Sequence, residues 1–164
     1  MLIKKDDFIF EQRFQSGSLK GKGIRVAIIV ATFNGEISNG LLSGCEKGLD
    51  ECNVSSDDVT VYTVDGCVEI SLIAKKIAVK KLADVIICLG AVIKGDTVHF
   101  DFVCKAVTEG INHVALTCDI PVIFGILTTL NYEQALERSR NDDLNKGYES
   151  AITAIKTITL FTNI

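Results

Sequence analysis

The chain has 164 residues, of which 48% are hydrophobic and 23% are charged. This length and composition predict one globular domain with a real hydrophobic core and argue against a disordered chain. A net charge of -4 and a pI of about 5.2 favour neither a nucleic acid nor an anionic membrane as partner, but they leave room for a local phosphate site.

The first 23 residues differ from the rest of the sequence. They contain a strand candidate at 8–14, followed by the Gly-, Ser- and Lys-rich stretch SGSLKGKG. We therefore predict an N-terminal arm over 1–23, which pairs with the sheet edge of a neighbouring subunit, and a single domain over 24–164. The start has no apolar stretch or cleavage site typical of a secretory signal, which predicts a cytoplasmic protein.

Beyond the arm, short apolar runs alternate with segments whose apolar residues recur at helical spacing. In chain order these are a strand at 24–32, a helix at 36–51, a strand at 58–64, a helix at 68–81, a strand at 83–93, a helix at 97–118, a strand at 120–128 and helices at 132–139 and 144–162. In the helix at 97–118, six residues are expected to face inward: Phe102, Val103, Val107, Ile111, Val114 and Ala115. The alternation predicts a flavodoxin-like α/β fold with three layers, α/β/α, and a mainly parallel sheet.

The cysteines form no C-x-x-C pair, and neither His99 nor His113 has metal-site spacing. We therefore expect no metal and no disulfide framework, but mostly buried, reduced thiols that pack as small apolar residues. The six cysteines are Cys45, Cys52, Cys67, Cys88, Cys104 and Cys118.

Ligands of such folds bind at the carboxyl ends of the strands, so the residues that follow each strand are the candidates for a site. Phe33 and Asn34 follow the first core strand, and an aromatic ring there either stacks on a flat ligand or packs in the core. The second strand is followed by Gly66, which lets a ligand approach the backbone, and by Glu69 at a helix start. The Glu69 carboxylate either binds a polyol or amine or only stabilises the helix end.

The segment after the third strand is the strongest local signal. Gly95 precedes a helix start, where free backbone N–H groups bind phosphate, although Asp96 or Thr97 would equally serve as an ordinary N-cap. His99 falls in the first helical turn, where a histidine either transfers protons or has a structural role. After the fourth strand, Arg138 and Lys146 either hold a phosphate or belong to a solvated face.

Four segments together are more specific than any single residue: ATFNGEISNGLLSG, LGAVIKGDTVHFDFV, IPVIFGILTTLNYEQALERS and NKGYESAITAI. In order and spacing they closely resemble the lumazine synthase family, from 24 to about 158. The resemblance implies a catalytic domain over 24–164 that condenses 5-amino-6-ribitylaminouracil with 3,4-dihydroxy-2-butanone 4-phosphate. The product is 6,7-dimethyl-8-ribityllumazine, phosphate and water are released, and the reaction requires no cofactor.

The resemblance also implies roles for individual residues. Phe33 stacks on the pyrimidine ring, while the Cys67 backbone and the Glu69 carboxylate face the ribityl chain. Further substrate-binding residues of the same subunit are Asn34, Val68, Val92, Ile93 and Lys94. The phosphate is held by Gly95, Asp96 and Thr97, and His99 is the catalytic proton-transfer residue. The neighbouring subunit contributes Phe124, Arg138 and Lys146, of which Arg138 binds phosphate.

In assembly, the resemblance implies a homopentamer, with a sixty-subunit shell and an interaction with riboflavin synthase as further expectations. Two alternatives stay open at this point: a non-catalytic relative that binds a lumazine or flavin or forms a shell, and a generic flavodoxin-like nucleotide binder. Two positions near the predicted site depart from the family pattern. Asp65 stands where a proline is usual, and Val68 stands where an aromatic is usual.

Overall fold

Strands and helices alternate along residues 20–164, the part of the chain that the structure, a computed structural model, describes. The strand candidate at 8–14 and most of the predicted arm lie outside the described residues. The elements are β1 (Val26–Ala31), α1 (Gly35–Glu51), β2 (Val59–Val64), α2 (Ile70–Val79), β3 (Val85–Ile93), α3 (His99–Cys118), β4 (Val122–Thr129), α4 (Tyr132–Glu137) and α5 (Lys146–Phe161). No helix within this described range is long and apolar enough to cross a membrane.

The four strands form one parallel sheet in the order β2-β1-β3-β4. In register, Val26 of β1 lies opposite Val59 and Val85, and Ile86 of β3 lies opposite Val122. This strand order and the helices on both faces confirm the predicted flavodoxin-like α/β/α architecture. Because all strands run in the same direction, the turns that leave their carboxyl ends meet at one edge of the sheet.

The central strand β1 is buried along its whole length, since helices cover both faces of the sheet. It sends alternate side chains to the two faces, as a pleated strand must. Val26 and Ile28 lie in the core formed with α1 and α5, whereas Ala27 and Ile29 lie in the core formed with α2 and α3. The continuous apolar run that predicted this strand is therefore the sequence pattern of burial on two sides.

One expectation for α3 is wrong. Phe102 was expected to face inward, but 68% of its surface is exposed. The buried residues of α3 are Val107, Ile111 and Val114, which form a narrow stripe at a spacing of four and three residues. Phe102 precedes Val107 by five residues, which places it well to the side of that stripe. The Ala115 side chain is only half-buried.

The prediction that most cysteines are buried is confirmed, because Cys45, Cys52, Cys67 and Cys88 lie in the two cores. All six cysteines are free thiols. Burial raises the pKa of the Cys45 thiol to about 12 and that of the Cys67 thiol to about 11. The thiol of Cys67, which lies nearest to the predicted site, is therefore neutral at physiological pH.

The turn between β1 and α1 is fixed to both neighbouring strands. Asn34, which precedes α1, adopts a left-handed conformation with φ 63°, and its side-chain Nδ2 donates to the carbonyl of Ala91 in β3 at 3.1 Å. On the other side, the Phe33 amide donates to the carbonyl of Asp65 after β2 at 3.0 Å. Asparagine suits this position because it tolerates the left-handed region and carries a donor that reaches β3.

The Asn34 turn gives a first prediction. Asn34→Ala should lower the free energy of unfolding by about 2 kcal/mol, since alanine is strained in the left-handed region and the bond to Ala91 is lost. Asn53→Ala is the matched control, because Asn53 has a similar φ of 61° but lies in an exposed position after α1. We expect a loss of only about 1 kcal/mol there. Urea denaturation measures both, and equal losses would show that the Ala91 bond adds no stability.

Candidate active site

The first group of predicted site residues lies on the turns at the carboxyl edge of the sheet. After β1 come Phe33 and Asn34, whose hydrogen bonds to Asp65 and Ala91 connect this turn to the ends of β2 and β3. Phe33 is 74% exposed, so its ring does not pack in the core of the subunit. An exposed aromatic ring on a fixed turn is suited to stacking on a flat heterocycle.

The turn after β2 forms a short 3-10 helix at Cys67–Glu69. The Cys67 side chain points into the core against Gly90 of β3, where a Cβ atom would lie only 2.8 Å from the Cys67 Sγ. The side chain is thus directed away from solvent, and the backbone is the part of this residue that a ligand can meet. Val68 beside it is 42% exposed.

The Glu69 carboxylate accepts a hydrogen bond from the Gly66 amide at 3.1 Å, which closes the turn at the start of α2. This is the helix-end role that the sequence left open as an alternative. The side chain remains exposed at the surface. It is therefore both a cap of the turn and an anionic group at the carboxyl edge.

The segment between β3 and α3 is exposed from Lys94 to Val98, following the half-buried Val92 and Ile93. The Lys94 amide donates to the carbonyl of Thr129 at 2.9 Å, so the segment starts from a position fixed against β4. Apart from Gly95 and its two chain neighbours, no residue has an atom within 4 Å of the point where a Cβ of Gly95 would be, which leaves the backbone there open to a ligand.

Neither Asp96 nor Thr97 is the N-cap residue of α3, because that position is taken by Val98, which makes no side-chain cap bond. The Thr97 hydroxyl nevertheless accepts a long hydrogen bond from the His99 amide at 3.4 Å. His99 is the first residue of α3, and its side chain is exposed rather than buried among core residues. An exposed imidazole next to an open backbone segment can exchange protons with a bound ligand.

The second group lies elsewhere, in a groove of about 550 Å³ along β4. Phe124, Arg138 and Lys146 line it together with the β4 backbone and the first turns of α5. Its volume falls in the range of small-molecule sites. Within the described residues, its lining includes none of the carboxyl-edge residues from Phe33 to His99. The groove of one subunit is therefore not lined by both groups of predicted site residues.

The two cations of this groove make polar contacts at partly exposed positions. The Arg138 guanidinium donates to the carbonyl of Gln134 at 2.9 Å, and the Lys146 ammonium lies 2.5 Å from a carboxylate oxygen of Glu149. Such half-exposed ion pairs contribute at most about 1 kcal/mol, so an incoming phosphate can replace the carboxylate. The Lys146 amide also donates to the Arg138 carbonyl at 2.8 Å, which keeps the two cationic residues adjacent.

Sequence reasoning missed three polar residues of this groove, Glu149, Ser150 and Thr153. They follow Lys146 by three, four and seven residues in α5, and this spacing places all four on one face of the helix. That periodicity was the available signal. It required knowing that Lys146 itself faces a groove, which no local pattern shows.

The chain matches the protein-family model of 6,7-dimethyl-8-ribityllumazine synthase over residues 23–162. The matched range contains the four strands and five α-helices of the described residues, together with both groups of candidate site residues. The observed fold agrees with this match. The chain therefore belongs to the 6,7-dimethyl-8-ribityllumazine synthase family, and it is an enzyme, a transferase that carries out the lumazine synthase reaction.

Proposed function

We propose that this reaction takes place in a site shared by two subunits. One subunit supplies the carboxyl-edge residues, and its neighbour supplies the groove along β4. The observation that carries this proposal is that the groove lined by Arg138 and Lys146 in one chain is not lined by Phe33 or His99. In a shared site, a ligand that needs a stacking ring, a proton-transfer group and two cations lies between two copies.

In this site the pyrimidine ring of 5-amino-6-ribitylaminouracil stacks on Phe33 and packs against Val92 and Ile93. The exposure of Phe33 supports the stacking role, because the ring is available to a ligand without any change of the core. The ribityl hydroxyls lie along the backbone of Cys67 and the carboxylate of Glu69. The Cys67 thiol, kept neutral by burial, contributes no charge to this contact.

The chemistry begins when the 5-amino group attacks the ketone of 3,4-dihydroxy-2-butanone 4-phosphate. Loss of water gives a Schiff base, phosphate leaves, and the second amine closes the ring with loss of another water. His99 accepts a proton from the attacking amine and returns protons to the departing oxygen atoms. Holding the two substrates together accounts for much of the acceleration, because it replaces a bimolecular encounter with a step inside one complex.

The phosphate lies between the backbone donors at 95–97 and the guanidinium of Arg138 from the neighbouring subunit. Lys146 adds a second positive charge. Charge-assisted hydrogen bonds of this kind stabilise the phosphate as it leaves with the bonding electrons. Support comes from the exposed backbone at Gly95 and from the adjacency of Arg138 and Lys146.

His99 gives the second prediction. His99→Ala should lower kcat about tenfold to a thousandfold, because proton transfer is lost while proximity survives. His113→Ala is the matched control, since His113 is exposed further along the same helix. We expect kcat within twofold of wild type for that variant and the same assembly for both. Lumazine absorbance measures turnover, and an unchanged kcat in His99→Ala would exclude the proton-transfer role.

Arg138 gives the third prediction. Arg138→Ala should raise the KM for the butanone phosphate about tenfold to a hundredfold, because one charge-assisted contact to phosphate is lost. The KM for the uracil substrate should change less than twofold. Arg140→Ala, an exposed arginine of the same link, serves as the control and should change neither KM. If Arg138→Ala weakens both substrates equally with the fold intact, Arg138 is not the phosphate anchor.

Assembly gives the fourth prediction. We expect a closed ring, because head-to-tail contacts between β4 grooves and carboxyl edges repeat around an axis. The number of subunits, five, is what the family resemblance implies. The arm at 1–23 would cover a sheet edge of the neighbour. Light scattering with analytical ultracentrifugation tests this: a monomer at micromolar concentration would exclude the shared site. A stable species near five times the 17.8 kDa chain mass would exclude only the sixty-subunit shell.

The shell, the interaction with riboflavin synthase and the cytoplasmic location remain predictions from the sequence.

A further inference from the structure

A hydrogen bond between two side chains joins the two halves of the proposed site inside one subunit. The Tyr132 hydroxyl donates to the Glu36 carboxylate, although the two residues are 96 positions apart in sequence. Glu36 is the second residue of α1, and Tyr132 is the first residue of α4. Because β3 lies between β1 and β4, this bond connects turns that leave two strands that are not neighbours.

On the α1 side, the bond acts next to the turn that carries Phe33. Glu36 follows Asn34 by two residues, and Asn34 holds the other end of the turn through its bond to Ala91. The junction of this turn with α1 is thus held by β3 at Asn34 and by α4 at Glu36. Phe33, whose exposed aromatic ring we assign to stacking on the pyrimidine, immediately precedes Asn34.

On the α4 side, the bond acts at the start of the helix that leads to Arg138. This helix has only six residues, too few to be stable without contacts at its ends. Asn131 accepts a hydrogen bond from the Gln134 amide at 2.9 Å, and the Gln134 carbonyl accepts one from the Arg138 guanidinium at 2.9 Å. Hydrogen bonds therefore link the first turn of α4 to the cation that we assign to phosphate binding.

We propose that Tyr132 and Glu36 are positioning residues, which hold the Phe33 turn and the Arg138 helix in one fixed relation and thereby set the affinity for both substrates. This inference rests on the proposed shared site. In that arrangement Phe33 serves the subunit's own site and Arg138 serves the neighbour's, so one hydrogen bond orients contacts in two adjacent sites of the ring.

The chemistry of the pair suits such a role. A hydroxyl donating to a carboxylate makes a short, charge-assisted bond with a defined direction. The hydrogen bond to Glu36 also raises the pKa of Tyr132, so the hydroxyl keeps its proton and remains a donor at physiological pH. Neither residue lines the β4 groove, so their effect on ligands is transmitted through the elements that they connect.

The test compares two tyrosines that make the same kind of bond to opposite ends of α1. Tyr132→Phe removes the bond to Glu36, and we expect the KM for both substrates to rise about threefold to tenfold, with kcat within twofold because His99 is untouched. Tyr148→Phe removes the bond of Tyr148 to Glu51 at the last residue of α1, 2.6 Å long. We expect both KM values of this control to stay within twofold of wild type.

A double-mutant cycle separates the bond from other effects of each side chain. Glu36→Gln keeps an acceptor oxygen and should retain a nearly wild-type KM, whereas Glu36→Ala should match Tyr132→Phe. The double variant Tyr132→Phe with Glu36→Ala should raise KM no more than the single variant with the larger increase. Additive increases in KM, or equal increases in Tyr148→Phe, would overturn the inference and indicate a general loss of stability.

Phe33→Ala and Arg138→Ala, measured in parallel, distinguish this inference from the site itself. If these two variants raise KM and Tyr132→Phe does not, the positioning role is excluded and the shared site stands. If neither Phe33→Ala nor Arg138→Ala changes KM, the site assignment is wrong and the positioning role is excluded with it.

Discussion

The close approach of α1 to the link between α4 and α5 is the contact on which the placement of the cationic groove depends. A row of glycines at a spacing of four makes it possible. A Cβ at Gly40 would lie 2.3 Å from the Ser139 carbonyl oxygen, and a Cβ at Gly44 would lie 2.1 Å from the Asn145 side chain. Any side chain on this face of α1 would therefore push the link outward and move the start of α5 away from the sheet.

Asn145 fills the space that the glycines leave. The two N–H groups of its buried side-chain amide are shared among the carbonyls of Gly40, Ser139 and Arg140, and its oxygen accepts from the Tyr148 amide. One side chain thus satisfies backbone groups of α1, the link and α5, which would be costly to bury without partners. Arg138 and Lys146 lie on either side of this network. Their position beside β4 is therefore a consequence of helix packing rather than of contacts between the cations themselves.

The sheet and its helices were predictable because a parallel strand covered on both faces is a continuous apolar run, as in β1 and β3. The same logic predicted that candidate residues follow the strand ends. Helical periodicity wrongly predicted that Phe102 faces inward, because it indicates the apolar face of a helix but not the width of the buried stripe. The sequence pattern did not predict the hydrogen bonds of Tyr132 with Glu36 and of Asn145 with Gly40, which join positions 96 and 105 residues apart. Such contacts depend on how helices pack, and no local pattern encodes that.

In the proposed shared site, activity depends on assembly. His99 lies at the carboxyl edge, while the groove of Arg138 opens along β4, a strand that lacks a neighbour on one side in the described sheet. In a shared site each substrate contacts two subunits, so binding energy stabilises the subunit contact, and the contact in turn preorganises the site. Dilution that separates subunits would then abolish turnover without unfolding the chain. In that proposed site, a side chain at Gly40 or Gly44 would reach the neighbour's chemistry, because it would push the link outward and move Arg138 and Lys146.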